Sequence, residues 1–258
     1  MRALAIFHRE TERLAMRELA ARAEGLRAGD PIAPGARVIE WGGSFDELMR
    51  TLADNPPVFT QGVHLIGDER DPRDVLREAR LGQPWPSYVI CRSELKLLES
   101  VGLFGIPTPP GELAIDLGAA PGGWSRVLAA RGMRVAAVDP GALDPRAADD
   151  PLVTHICTTA GQYLKTAIPG SAALLVNDMK MEPERSCAMM LDFAPMLKPG
   201  GWAVVTLKLP ASAAPSWPGV ISRARGVLAQ LYSIVGVRQL NASRSEVVCV
   251  MNRIQSGI

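Results

Sequence analysis

The apolar run Leu113-Ala114-Ile115 leads directly into Asp116-Leu117-Gly118-Ala119-Ala120-Pro121-Gly122-Gly123-Trp124, and a helical spacing of Val127, Leu128 and Arg131 follows. No other stretch restricts the fold as much. A short buried strand, a glycine-rich turn and a helix form the opening unit of a parallel βα sheet. Glycine in such a turn lets a ligand approach the backbone, because it has no Cβ. A dinucleotide loop would read G-x-G-x-x-G, with bare amides facing a pyrophosphate. This loop reads G-A-A-P-G-G-W, with small residues, a rigid proline and an indole just inside the helix. A generic βα turn accounts for the glycines but not for that string.

The pattern repeats downstream. Arg134 to Val138 reads as a second strand, closed by Asp139 in Val-Asp-Pro-Gly; Leu152 to Ile156, Ala172 to Val176 and Trp202 to Leu207 read as strands three to five. Lys198-Pro199-Gly200-Gly201 is the turn that opens strand five. An acidic residue at the tip of a second strand can accept hydrogen bonds from a ribose diol. The plain alternative for Asp139 is the start of a Pro-Gly turn. Strand four ends at Asn177-Asp178-Met179 and strand five at Leu207-Lys208-Leu209-Pro210, so Asp178 and Lys208 fall at the carboxyl edge, where ligands sit in open parallel sheets. Upstream, Arg92-Ser93-Glu94-Leu95-Lys96-Leu97-Leu98 is amphipathic; near the C-terminus Ser245-Glu246 precedes the apolar run Val247 to Val250.

These motifs resemble the FtsJ-type RNA ribose 2'-O-methyltransferases. The Gly118–Trp124 string is similar to that family's S-adenosylmethionine (SAM) loop, and Lys96, Asp178, Lys208 and Glu246 match its Lys-Asp-Lys-Glu tetrad in order and context. The resemblance implies an α/β, Rossmann-like SAM-dependent methyltransferase fold with a mostly parallel seven-stranded sheet. It also implies SAM as cofactor and an RNA ribose 2'-hydroxyl as acceptor. Lysine usage points the same way: the chain holds five lysines (96, 165, 180, 198 and 208) against 23 arginines. Where charge alone is needed this sequence writes arginine, but guanidinium stays protonated and cannot serve as a proton-accepting amine. In the implied chemistry the acceptor hydroxyl must be aligned in line with the methyl donor and lose its proton as the bond forms. Lys208 is expected to be the general base, its pKa lowered by the Lys96 ammonium and by burial. Asp178 would orient it, and Lys96 and Glu246 would fix the hydroxyl. No metal is required.

A narrower resemblance, over roughly residues 91–254, is to the branch that methylates cytidine ribose in bacterial 23S ribosomal RNA. It rests on Ser-Glu-Leu-Lys-Leu at 93–97, Asn-Asp-Met-Lys-Met-Glu-Pro at 177–183, Lys-Leu-Pro at 208–210, and Arg238-Gln239-Leu240 through Glu246-Val247. It implies that Ser93, Asp116, Gly118, Ala120, Pro121, Gly122, Gly123, Trp124, Asp139 and Asp178 form the cofactor site. Where that branch places an acidic residue after strand three, this chain has Thr158-Thr159-Ala160, so Thr159 is left to accept from the adenine amino group.

Residues 1–85 read as a small α+β domain, a candidate RNA-binding appendage, ahead of the methyltransferase domain at 86–258. Strands at Ala3–Phe7, Arg37–Trp41 and Val58–Leu65 alternate with helices at Glu10–Glu24 and Phe45–Leu52. The THUMP domain that follows this appendage in the resembled branch is expected to be absent. Asp68-Glu69-Arg70-Asp71-Pro72-Arg73-Asp74 reads as a solvated mixed-charge linker.

At 47% hydrophobic residues the chain can fill a core, and it has no run of eighteen apolar residues to span a bilayer. The N-terminus, interrupted by Glu10, Glu12 and Arg13, lacks a signal pattern. Cysteines 91, 157, 187 and 249 and histidines 8, 64 and 155 show no ligand spacing, which fits reduced thiols in the cytoplasm. A net charge of +1 does not advertise a nucleic-acid binder, so RNA contact must come from a local patch, with Arg92, Arg126, Arg185, Arg223, Arg225, Arg244 and Lys180 as candidates. The Ala/Ser/Pro-rich stretch Pro210 to Pro218 is a candidate mobile rim. Two other classes stay open: a methyltransferase for transfer RNA or a small molecule, and a non-catalytic RNA-binding or ribosome-assembly module. Convergence of the tetrad on one cleft separates the enzyme readings from the last.

Overall fold

The computed structural model describes residues 1–66, 70–80, 89–210, 216–243 and 245–254. They form two compact units, Met1–Pro86 and Ser87–Ile258.

In the first unit, β1 (Arg2–Phe7) is flanked by β3 (Ala36–Glu40) and β4 (Thr60–Ile66), both antiparallel to it, with β2 (Arg27–Ala33) at the edge beyond β3. Helices α1 (Glu12–Arg22) and α2 (Phe45–Asp54) bury Ala15, Leu19, Leu48 and Leu52. Ser44 and Glu47 start α2 with a reciprocal capping box. Two elements depart from the sequence reading. β2 contains Gly29, Asp30 and Pro31, a composition that signals a loop; an edge position tolerates the missing proline N–H, and the ladder shifts register on both sides of Pro31. The expected linker is in part helix α3 (Pro72–Arg80), with residues 67–69 outside the described set. Val75 and Leu76 pack with Leu4, Val38 and Ile66, so two apolar residues in a charged segment suffice to dock it.

The second unit is a seven-stranded sheet in the order β10-β11-β9-β8-β5-β6-β7. The strands are β5 (Leu113–Leu117), β6 (Arg134–Val138), β7 (Val153–Ile156), β8 (Ala172–Asn177), β9 (Leu197–Lys208), β10 (Tyr232–Arg238) and β11 (Glu246–Arg253). β5 to β9 are parallel, and β11 runs antiparallel to both β9 and β10. This is the Rossmann-like arrangement of SAM-dependent methyltransferases. Strands covered on both faces read as continuous apolar runs, as in Leu174-Leu175-Val176 and Ala203-Val204-Val205. Leu97, Leu128, Met133, Leu174, Val204 and Val248 belong to one core cluster, and burying each stabilises the fold by about 1.5–3 kcal/mol. The expected turn at Lys198–Gly201 lies inside β9: β8 residue Ala172 pairs with Leu197 and Leu174 with Trp202, so the intervening residues bulge out of the ladder. Helix α9 (Trp217–Leu228) and β10 had no counterpart in the sequence reading.

The order reverses at β5, which pairs with β6 on one side and β8 on the other. That switch point opens a crevice at the carboxyl ends of the strands. Register places Leu117 beside Asn177, so the glycine loop and the Asp178 segment leave the sheet as neighbours. No helix among the described residues is long and apolar enough to cross a membrane.

Candidate active site

Asp116 lies within β5 rather than in the loop, and it is buried. Its Oδ2 accepts from Ser125 Oγ at 2.7 Å, and burial pushes its carboxyl up to about 7. From this position it holds the first turn of helix α5 (Gly123–Ala129) against the strand. The loop above it is closed on itself. The amides of Gly118 and Ala119 donate to the Val138 carbonyl, that of Gly122 to the Ala119 carbonyl, and that of Ala120 to Asp139 Oδ2 at 3.2 Å. With those donors engaged, the loop is not a pyrophosphate cradle of bare amides. Gly118 has φ +73°, and a Cβ there would run into the Met179 side chain; Gly122 has φ +107°, and its Cβ would sit 2.6 Å from Ala147 Cβ. Only glycine satisfies both backbone and space at these positions. Pro121 faces the cavity described below.

Asp139 accepts from the Gly141 amide at 2.7 Å as well as from Ala120, so it braces the loop and keeps carboxylate lone pairs for a further donor. Thr159 caps the short helix α7 (Ala160–Tyr163), its Oγ1 accepting from Gln162 N at 3.3 Å, which occupies one of its two acceptor positions. Trp124 donates its indole N–H to the Ser93 carbonyl at 2.6 Å, and Ser93 Oγ lies 2.9 Å from Cys91 Sγ. These contacts join the loop to helix α4 (Arg92–Phe104).

The four tetrad positions meet. Lys96 comes from α4, Asp178 follows β8, Lys208 ends β9 and Glu246 begins β11, directly across the ladder from Lys208. Lys96 Nζ donates to Asp178 Oδ1 and Oδ2 at 2.7 and 2.8 Å. Lys208 Nζ donates to Asp178 Oδ1 at 2.5 Å and to Glu246 Oε2 at 2.7 Å. Lys96 Nζ also lies 3.2 Å from Glu246 Oε1, an ion pair without hydrogen-bond alignment, and that Oε1 is buried with no hydrogen-bond donor. Two ammonium groups and two carboxylates therefore alternate in a closed ring. Lys96 and Glu246 are only 3% and 6% exposed, a depth at which unpaired charges would be strongly destabilising.

Electrostatics in the ring depart from the sequence reading in one respect. Burial works to lower the Lys208 ammonium, but the Asp178 and Glu246 carboxylates outweigh it and hold Lys208 above its ordinary value. The expectation that Lys96 would lower it overlooked the two carboxylates placed between the lysines. For Asp178, burial works upward, while Lys208 and Lys96 prevail and hold the carboxyl below the usual range.

A cavity of 530 Å³ opens over the ring, lined also by Cys91, Arg92, Ser93, Pro121 and Lys180. Sequence reasoning singled out the ring but not Cys91 or the neighbouring Asn177. Asn177 is 1% exposed; its Oδ1 accepts from the Met179 amide and its Nδ2 has no acceptor. A polar residue closing an apolar strand beside Asp178 was the available signal. Of the expected basic patch, Arg126 is paired with the buried Glu94, Arg185 lies on α8 (Pro183–Phe193), Arg223 and Arg225 lie on α9, and Arg244 is outside the described residues. Most of the proposed rim at 210–218 is likewise outside them.

Known proteins match this chain in the same region. Residues 89–192 match the model of FtsJ-like methyltransferases. The chain is 35% identical over 257 residues to ribosomal RNA large subunit methyltransferase M of Methylococcus capsulatus, covering 95% of this chain and 64% of that protein. It is 34% identical over 196 residues to the protein of the same name from Laribacter hongkongensis, covering 68% and 54%. Over 82 residues it is 56% identical to that of Halorhodospira halophila, covering 30% and 24%. The chain thus spans less than two thirds of the length of these curated relatives. The stretch that is similar to FtsJ-like methyltransferases contains the glycine loop and two of the four ring residues, Lys96 and Asp178.

Proposed function

We propose that this chain transfers the methyl group of SAM to a ribose 2'-hydroxyl of RNA, with large-subunit ribosomal RNA as substrate and Lys208 as general base. The observation that carries the reading is the closed Lys96–Asp178–Lys208–Glu246 ring at the floor of a cavity beside the glycine loop. A small-molecule methyltransferase needs the loop but has no use for such a ring, and a non-catalytic module has no reason to bury four charges. The three curated relatives described above, each named ribosomal RNA large subunit methyltransferase M, support the substrate class.

The residues fit the cofactor. Gly118 and Gly122 leave space that no Cβ could share, Asp139 retains acceptor capacity for a ribose diol, and the buried Asn177 amide next to Asp178 lacks an acceptor. When bound, SAM supplies an activated methyl whose departure leaves a neutral thioether. The chain's own groups do the rest. Lys96 and Glu246 fix the acceptor hydroxyl beside Lys208, Glu246 through its hydrogen bond to Lys208 and its ion pair with Lys96, so that the hydroxyl proton faces the Lys208 amine. Neutral Lys208 takes that proton as the O–C bond forms. Asp178, in contact with both lysines, balances the resulting ammonium. Because the carboxylates hold Lys208 up, only its neutral fraction is competent, and the rate is expected to rise with pH.

The test is methyl transfer from labelled SAM to unmodified 23S ribosomal RNA, assembled large subunits, transfer RNA and a DNA strand of the same sequence. Incorporation into ribosomal RNA and none into DNA is expected. Equal transfer to DNA would rule out the ribose hydroxyl, and modification of transfer RNA alone would overturn the substrate assignment.

A further inference from the structure

The ring that forms the cavity floor cancels its own charge: two ammonium groups face two carboxylates at 2.5–3.2 Å. It therefore holds nothing that attracts a phosphate. Two other cations line the same cavity. Arg92 is the first residue of α4, one turn before Lys96, and is half-buried; Lys180 follows Asp178 by two residues and is exposed. Among the described residues neither forms an ion pair or a hydrogen bond. Elsewhere in this unit Arg126 pairs with Glu94, Arg146 with Asp144 and Lys198 with Glu112, and Arg134 and Arg253 are tied to carbonyls. Lys165, Arg185, Arg223 and Arg225 do not line the cavity, so position, and not the lack of a partner alone, sets Arg92 and Lys180 apart. Two uncompensated positive charges thus line the cavity over a neutral ring, one at the start of α4 and one in the segment that follows β8.

Resting on the function proposed above, we infer that Arg92 and Lys180 bind the phosphodiester groups flanking the ribose that is methylated. Arg92 offers a planar fork that matches two phosphate oxygens, and Lys180 a flexible point charge at the solvent edge. The chain's net charge of +1 gives no long-range attraction to a polyanion, so recognition of a strand must be local. A free nucleoside has no group for either residue, so this pair makes the site selective for a ribose within a strand.

The experiment uses the full chain, an unmodified 23S ribosomal RNA transcript as probe, and the variants Arg92→Gln and Lys180→Gln. RNA binding is measured by filter retention across a salt series, and SAM binding by calorimetry. Each variant should weaken RNA binding about tenfold or more and flatten the slope of log K against log salt by about 0.7–0.9. SAM affinity should stay unchanged. Lys180 is exposed, so its variant folds as wild type and keeps the test valid if Arg92→Gln is unstable. Unchanged RNA affinity and salt slope in Lys180→Gln would overturn the inference, as would equal losses in SAM binding. RNA retention without any methyl transfer by the wild type would sink the proposed reaction and leave the rim standing. Failure of the wild type to retain the transcript would remove the rim itself.

Discussion

Trp124 donates its indole N–H to the backbone carbonyl of Ser93 at 2.6 Å. One residue belongs to the glycine loop's helix and the other to the helix that carries Lys96, so this bond couples the glycine loop to the ring. Trp124 is 3% exposed and packs in the main core cluster. Trp124→Phe keeps an aromatic ring but leaves the Ser93 carbonyl without its donor. Denaturant unfolding should show a loss of about 1–3 kcal/mol, with slower methyl transfer because α4 shifts. A variant as stable and as active as wild type would show that the bond is incidental.

Replacing Lys208 with arginine keeps a positive charge between Asp178 and Glu246 but removes the titratable amine. Methyl transfer should fall by about 10²- to 10⁴-fold, while calorimetry still reports SAM binding. Near-normal turnover in Lys208→Arg would reduce Lys208 to a positioning group.

The ring has its own pH signature. Asp178 is held below 3.8, so its contribution to stability is present above that value and lost as pH falls through the folded pKa. Lys208 is held above 10.5, so its contribution is present below that value and lost as pH rises through the folded pKa. The stability difference between wild type and Lys208→Met should be flat through neutral pH and shrink above 10.5. In the free enzyme, kcat/KM should climb toward alkaline pH without a plateau near neutrality.

Asp116 behaves in the opposite sense. Its carboxyl is pushed from 3.8 to about 7 by burial, so between those values the folded state keeps a proton that the unfolded chain releases. Stability must therefore fall as pH rises through that interval, by up to about 4 kcal/mol, and level off above it. Asp116→Asn removes the ionisation. Its stability relative to wild type should increase from pH 4 to pH 7, and a constant difference would contradict the assignment.

Asp139→Ala removes the acceptor of the Ala120 and Gly141 amides together with the acceptor offered to a ribose diol. SAM affinity should drop by about 1–3 kcal/mol. Asp139→Asn, which keeps one acceptor oxygen, should lose less; equal losses would place the effect on loop bracing alone.

The sheet was legible where chemistry is local. Gly118 to Trp124 and Arg134 to Asp139 state strand, turn and helix within a few residues, and β5, α5 and β6 follow them. Asp178 and Lys208 were legible as polar residues at strand ends, but the four-residue set was joined only through a resemblance, since Lys96, Asp178, Lys208 and Glu246 lie far apart and no periodicity connects them. Elements with contrary composition were missed. Pro31 hides an edge strand, α3 shows only Val75 and Leu76 among charges, and Gly236 interrupts β10 where a Cβ would meet Phe104. The raised Lys208 ammonium was out of reach for a different reason. It depends on cross-strand register, which sets Glu246 opposite Lys208, and register is a property of pairing rather than of either segment.

The reversed direction of β11 brings its first residue, rather than its last, to the edge where the parallel strands end. Glu246 is therefore placed by the ladder and not by the chain that leads into it. The connection from β10 can change length or sequence without moving this carboxylate, provided that β11 keeps its alignment. A slip of a single residue would turn Glu246 to the opposite face of the sheet and leave Lys208 with one carboxylate. Diversity in that connection is thus compatible with an unchanged ring, as long as the buried apolar run Val247 to Met251 locks the strand in place.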